Sequence, residues 1–412
     1  MTEKTQFGRM HIDDEKAANP APGVWMIPGF GNTGVVETDE GLVLVDMPVQ
    51  SYVKRTMGML RGISDAPVDT VFLTHGHLDH AVNTGPLFDE AVAKGWGRPR
   101  VVAQRNLVRR LNKYRMLDGY HEHINRIQFN VPEGRRAFPV PECNPDVMFD
   151  QSISIRVGGV DVHAFHGLGE TDDHLWVWVP EKKTIFAGDF VIWSFPNVGN
   201  PFKVQRYTLE WAESLEAMTA KGPEILVPGH GPVIEGYENI RRILMKFSAA
   251  LRYLHKEVVD RLNRGMWYED ILHEVTLPDH MLDDEFLAPR YGCPEFVVHG
   301  ILRQYTGWYD GNPSNLFPPK KSDIASEVAG LVGGDRLLAH AMKLKSEGNE
   351  AMALQFVDMA LAGEAGGDDR QEAHRMKSEL LDAAGHKAES FIAKSIYFIG
   401  RDKELAIAEG KG

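Results

Sequence analysis

THGHLDH, residues 74–80, follows directly on the apolar run Val71–Phe72–Leu73 and holds three of the chain's seventeen histidines. A short apolar run rich in β-branched and aromatic residues predicts a buried strand over 70–73. In extended chain leaving that strand, the spacing His75–x–His77 puts two imidazoles on one side, and Asp79 and His80 follow as the chain turns. Four such donors at the exit of a core strand fit two adjacent metal sites better than a polar loop that happens to contain histidines. One cluster of four cannot close two sites, so further ligands must come from other strand ends. Asp189, after the strand TIFA, and His230, in the Gly229–His230–Gly231 turn after the strand ILV, are the candidates.

Composition narrows the chemistry. The chain has 412 residues, 43% of them hydrophobic and 25% charged, which is the balance of a globular protein. Two domains are expected, because single domains mostly stop at roughly 250 residues. The net charge of -13 argues against a nucleic-acid surface, which needs concentrated Lys and Arg, and favours a small-molecule partner. With only Cys143 and Cys293 present, a disulfide framework and a cysteine-rich metal site are both excluded, so a metal must be held by His, Asp and Glu. No apolar run is long enough for a membrane span and the N-terminus lacks a signal-peptide core, so a cytoplasmic protein is expected.

From residue 24 to about 235, short β-branched runs alternate with helical stretches, the pattern of a layered α/β domain. Helices are predicted over 51–63, 87–94, 105–117 and 208–220, and strands over 100–103, 152–157, 160–164, 175–179, 184–187 and 225–227. Residues 118–150, rich in Pro, Asn and Gly, read as a long excursion forming a lid or substrate wall. Beyond 237 the pattern turns helical, with a long helix over 238–264 stopped by Gly265 and shorter antiparallel helices from Asp335 onward, reminiscent of a helical-repeat stack.

Strand, HGHLDH, helix, then AGD after a strand and PGHG after a strand: this order resembles the metallo-β-lactamase superfamily over roughly residues 24–235. The resemblance implies an αββα sandwich in which His75 and His77 bind one metal, Asp79, His80 and His230 bind the other, and Asp189 bridges. A third ligand for the first metal normally lies nineteen residues before the bridge. Here that position is Glu170, in HGLGETDDHLWVWVP, with His166 and His174 as competing ligands. A glutamate there is similar to the alkylsulfatase branch.

Two further stretches resemble the same branch. QYTGWYDGNPSNL (304–316) looks like the block that marks the helical dimerisation domain of alkylsulfatases, and SFIAKSIYFIGRDKEL (390–405) looks like the end of that domain. The resemblance implies a catalytic domain over 1–237, an all-α dimerisation domain over 238–412, and a homodimer. The carrier-like C-terminal domain of the long-chain alkylsulfatases has no counterpart in the 412 residues, so a small alkyl sulfate is the expected substrate. Where alkylsulfatases place a sulfate-binding arginine and histidine, this sequence has Phe202 and Phe296. Lys203 and Arg206 lie close by, Asn197 falls at a family asparagine, and the bridge is Asp189 where alkylsulfatases commonly use Glu.

Two divalent ions about 3.5–4 Å apart act as Lewis acids and lower the pKa of water toward roughly 7. The expected function is hydrolysis of a small, anionic alkyl sulfate ester at two Zn²⁺ ions, with Mn or Fe also compatible with the donor set. Asp79 belongs to the catalytic centre, and His174 or Tyr309 is the expected proton donor to the leaving group. Asn197, Lys203, Arg206 and Tyr309 are the expected substrate contacts. The competing expectations are hydrolysis of a lactone, carboxylic ester or phosphodiester, and a non-catalytic metal-binding assembly module.

Overall fold

The computed structural model describes residues 8–10, 16–132, 134, 136–282, 284–363 and 367–411. Its contacts divide the chain into two compact units, Met1–Glu122 with Phe138–Thr306, and His123–Ala137 with Gly307–Gly412.

The first unit is built on two sheets. One has seven strands in sequence order: β1 (Ala18–Ala21), β2 (Val24–Ile27), β3 (Thr33–Thr38), β4 (Gly41–Val45), β5 (Val68–Leu73), β6 (Arg100–Gln104) and β7 (Val147–Phe149). The other has six, β8 (Ser152–Val157), β9 (Val160–His166), β10 (Leu175–Val179), β11 (Thr184–Gly188), β12 (Ile225–Pro228) and β13 (Ile234–Glu235), in the order β13-β12-β11-β10-β9-β8. From β4 to β7 the pairing is parallel, as is β11 with β12, and helices make the crossovers.

The inner strands β4, β10, β11 and β12 read as unbroken apolar runs because both of their faces are buried, whereas β8 alternates exposed and half-buried residues. On β5, Val71 and Leu73 face a helical layer while Phe72 points between the sheets; on β4, Leu42 and Leu44 face the helices, Val43 and Val45 the second sheet. On β10, Trp176 and Trp178 face the outer helices and Leu175, Val177 and Val179 the inter-sheet core. Helices Val53–Ile63, Gly85–Lys94 and Asn106–Met116 supply the layer on the first sheet, while Thr208–Ala220 and Tyr237–Asn263 cover the second. The expected αββα sandwich is therefore the observed architecture.

Two features depart from the expectations. Residues 118–150 are not all excursion: Asp118–Gln128 is a helix burying His121, Ile124, Asn125 and Gln128, a stripe masked in the sequence by its polarity and by the prolines after it. The long helix Tyr237–Asn263 does not leave the first unit at residue 237. It packs Ile243, Leu244, Phe247, Leu251 and Leu254 into the same core as Trp211 and Leu215 of helix Thr208–Ala220.

The second unit is all helical from Lys321, with helices Lys321–Val332, Gly334–Ser346, Glu350–Ala362, Gly367–Lys387 and Phe391–Ala408. Ala341, Ala353, Val357, Ala360 and Leu380 close its core. Asn349 and Ser390 cap two of these helices by accepting from the Met352 and Ala393 N–H groups. A polar knot pins three of them: buried His374 Nδ1 lies 2.6 Å from buried Glu404 Oε2, and half-buried Lys377 Nζ reaches Glu404 (2.7 Å) and the exposed Asp358 (2.9 Å). Among the described residues no helix is long and apolar enough to cross a membrane.

Candidate metal centre

The seven donor residues expected from the sequence meet at the carboxyl ends of β5, β11 and β12 and in the loop between β9 and β10. His75 Nε2 and His77 Nδ1 are 2.9 Å apart, and Glu170 Oε2 is 3.2 Å from His77 Nδ1. His230 Nε2 is 3.4 Å from Asp79 Oδ2, and His80 Nε2 is 3.7 Å from the same oxygen. Asp189 stands between the two sets, with Oδ2 3.7 Å from His75 and Oδ1 3.2 Å from His80 and 3.5 Å from His230. The atoms sort into two groups, His75, His77, Glu170 and Asp189, and Asp79, His80 and His230, each with all its donor atoms within 4.8 Å of one another.

This donor set fits two cations. His80 Nε2 and Asp189 Oδ1 are buried and make no hydrogen bond among the described residues, although they are close together. Such atoms are costly to leave bare and point at a charge that completes them. Packing nitrogen and carboxylate donors this closely, out of water, also suits borderline divalent ions.

The electrostatics of the metal-free centre follow from the same crowding. Burial opposes protonation of His80, but Asp189, Asp79 and Asp46 outweigh it and raise its pKa well above the usual imidazole value. His230 is held at about 9 because Asp189 and Asp79 overcome the same burial penalty. Burial pushes Asp79 up, yet His80 and His230 bring it down to about 2. His75 goes the other way, kept neutral by burial and by the positive charge on His80.

The sequence reading missed the residue that organises the second group. Asp46 follows β4 with φ 66°, and its buried carboxylate accepts from Thr74 N (2.6 Å), Thr74 Oγ1 (2.6 Å) and His80 Nδ1 (2.8 Å). With Thr74 Oγ1 donating to Asp46, His75 Nδ1, 3.1 Å away, must donate to Thr74. Both imidazoles are thereby held through Nδ1, with Nε2 turned toward the donor groups. The signal was present: Asp46 leaves the apolar strand GLVLV just as Asp189 leaves TIFAG.

Other contacts hold the ligand loops. Asn32 Nδ2 donates to the Pro228 and Gly231 carbonyls, at 3.0 and 2.8 Å, and so brackets His230. Arg110, buried on helix Asn106–Met116, pairs with Asp172 and, at 3.1 Å, with Asp173, fastening the turn that carries Glu170.

His174 does not occupy the position expected of a proton donor. It is fully buried, its Nδ1 accepts the Glu170 N–H at 3.1 Å, and its ring is stacked between His75 (4.5 Å) and Phe190 (4.2 Å). Burial also lowers its pKa well below the ordinary value, so it is neutral and sealed from any leaving group. His166 is likewise outside the donor groups, its Nδ1 donating to the His174 carbonyl.

Asn197 and Arg206 are brought to Glu170 itself. Asn197 Nδ2 donates to Glu170 Oε1 at 2.6 Å, and Arg206 Nη1 lies 3.1 Å from that oxygen. Lys203 is half-buried, and burial, reinforced by the positive charge of Arg206, brings its ammonium pKa down to about 7 against the pull of Glu170 and Asp79. Tyr309 belongs to the second unit, where it is half-buried.

The 196–200 loop is seated by Gly199, where a Cβ would fall 1.7 Å from the Phe296 carbonyl oxygen. Gly199→Ala is expected to cost about 1–3 kcal/mol, since backbone cannot yield as a flexible side chain does. Urea denaturation should give a lower midpoint at unchanged slope.

A model of the metallo-beta-lactamase superfamily matches residues 26–230, and one for alkyl sulfatase dimerisation matches residues 268–406. The chain belongs to the metallo-β-lactamase superfamily. As a member it pairs that domain with an alkyl sulfatase dimerisation domain. It is 25% identical to a linear primary-alkylsulfatase of a Pseudomonas species over 79% of this chain and 66% of that protein. It is 23% identical to an (R)-specific secondary-alkylsulfatase of Pseudomonas over 92% of this chain and 61% of that one. The solved structure of a stereoselective inverting sec-alkylsulfatase from Pseudomonas superposes with a TM-score of 0.83 at 20% identity, covering 96% of this superfamily member and 66% of that chain, which speaks for a common fold. The chain thus spans less than two thirds of the length of these relatives.

Proposed function

We propose that the chain is a binuclear metal-dependent hydrolase that cleaves a small alkyl sulfate ester to alcohol and sulfate. The observation that carries this reading is the pair of donor groups joined by Asp189, with a glutamate in the first group. His75, His77 and Glu170 would hold the first cation, Asp79, His80 and His230 the second, with Asp189 reaching both. When bound, two such cations, zinc being favoured by the His-rich set, supply Lewis acidity toward ester oxygens and activation of water.

The chain's own residues do the remainder. His75, His80, Glu170, Asp189 and His230 are buried while His77 and Asp79 are half-buried, so an anionic ester would meet the donor groups in a partly desolvated setting that strengthens charge interactions. Lys203, in the same unit as the donor groups, is the proposed cation for the sulfate group. The test is ion chromatography of released sulfate, using metal-quantified protein, short and long alkyl sulfates, and Glu170→Ala as the control. Two bound metals with no sulfate from any ester would redirect the search to lactones, carboxylic esters and phosphodiesters; protein that binds no metal would favour an assembly module.

A homodimer is part of this proposal. The second unit exposes the large apolar side chains Trp308 (75%), Phe317 (89%) and Leu331 (86%), the kind an interface between copies buries. Sedimentation equilibrium is expected to give twice the chain mass of 46.1 kDa; a mass that stays at one chain at micromolar concentration would contradict it.

A further inference from the structure

A glutamate among the first group's donors raises a charge problem that the surrounding residues answer. Three imidazoles would leave a divalent cation with both of its charges, whereas two imidazoles and a carboxylate remove one and weaken its pull on a substrate oxygen. Glu170 is not a bare carboxylate, however. Its Oε1 accepts the Asn197 Nδ2–H at 2.6 Å and faces Arg206 Nη1 at 3.1 Å, while Oε2, turned toward His77, takes neither contact. Arg206 is 2% exposed, and its Nη1 also donates to the Asn197 carbonyl, so the guanidinium is sealed behind the glutamate and committed to it. An arginine can be buried in this way only beside a charge that compensates it.

We infer that Arg206 and Asn197 are positioning residues of the first metal site: they restrict Glu170 to one metal-facing oxygen and cancel its charge, making the carboxylate–guanidinium pair the equivalent of a neutral imidazole donor. This rests on the reading of Glu170 as a ligand. It removes Arg206 and Asn197 from the substrate contacts expected from sequence.

The inference predicts that residues 170 and 206 are coupled through charge. Metal-depleted protein is titrated with Zn²⁺ against a chromophoric chelator, and with Co²⁺ while its visible spectrum is followed, for the wild type, Glu170→His, Arg206→Met and the double variant. Glu170→His alone leaves an unpaired buried guanidinium beside the cation and is expected to weaken the first site about tenfold to a hundredfold. Adding Arg206→Met is expected to restore the affinity to within about fivefold, because the two changes touch one interaction. Equal weakening by Glu170→His with and without Arg206 would overturn the inference. Arg206→Lys, which keeps the charge and tests the site even if the methionine variants do not fold, is expected to retain the first metal. It is also expected to leave the inhibition constant of inorganic sulfate unchanged; a tenfold rise in that constant would make Arg206 a substrate contact and overturn the inference. Failure of the ligand reading itself looks different: Glu170→Ala would then leave metal stoichiometry and the Co²⁺ spectrum as in the wild type.

Discussion

Asp46→Ala is expected to strip the second metal site and destabilise the first unit together. Three donors, Thr74 N, Thr74 Oγ1 and His80 Nδ1, converge on this one buried carboxylate. Alanine leaves all of them without an acceptor, at about 1–3 kcal/mol for each that no water reaches. It also places a residue with no polar side chain at φ 66°, a conformation that Asp and Asn tolerate better. Metal affinity at the second site should fall about 10–100-fold as His80 loses the partner that fixes its tautomer.

Asp46→Asn separates the two effects. Asparagine keeps the backbone conformation and can still accept from Thr74 N. Its amide NH₂ then faces His80 Nδ1 and Thr74 Oγ1, two groups that donate to Asp46. His80 escapes the clash by moving its proton to Nε2, the atom a metal needs. The asparagine variant should therefore fold nearly as well as wild type and still lose the second metal. Metal content after dialysis and a urea melt read out both arms, and two metals retained in both variants would remove Asp46 from any role at the centre.

The comparison of Asp46 with Asp189 locates what a sequence reveals of such a site. Both are aspartates at the end of an apolar strand, yet Asp189 was identified and Asp46 was not. Histidine clustering in residues 74–80 drew attention to first contacts with metal, whereas Asp46 works through the far side of an imidazole, which carries no spacing signature. Glu170 illustrates the same limit. Residues 166–174 offer three possible ligands, and only resemblance selected the glutamate; the structure adds the physical reason, since His174 and His166 are tied to backbone groups. Lys203 and Arg206 read alike as loop charges three residues apart, and burial alone distinguishes them. The fold was legible where it depended on periodicity: strands such as β5, β10, β11 and β12 were identified as short apolar runs, whereas β7, Val147–Phe149, lies inside the stretch read as an excursion. Helix Asp118–Gln128 was hidden because its buried stripe is His, Asn and Gln as well as Ile, which hydropathy patterning does not register.

The metal-free protein is expected to lose stability as pH rises from about 6.5 to 9, and the metal-loaded protein is not. His230 has an ordinary pKa of 6.5 and is held at about 9 in the fold by Asp189 and Asp79, and His80 is raised further in the same direction. A folded-state pKa above the unfolded value contributes stability that is complete below the unfolded value and disappears as pH climbs through the folded one. For His230 alone this amounts to something on the order of 3 kcal/mol. Asp79, at about 2, and Asp189, lower still than an ordinary carboxylate, contribute in the opposite window and lose their share only as pH falls below about 4. In the metal-free state the two protonated imidazoles thus stand in for the cations, compensating the carboxylates from within. Metal binding must displace those protons, because a ligating imidazole is neutral. Calorimetric titration at pH 7 in buffers of different ionisation enthalpy should accordingly show net proton release, and thermal melting from pH 6 to 9 should show the loaded and metal-free curves diverging. A metal-free melting temperature that is flat across this range, with no protons released on binding, would mean that His80 and His230 do not compensate the carboxylates as protonated imidazoles.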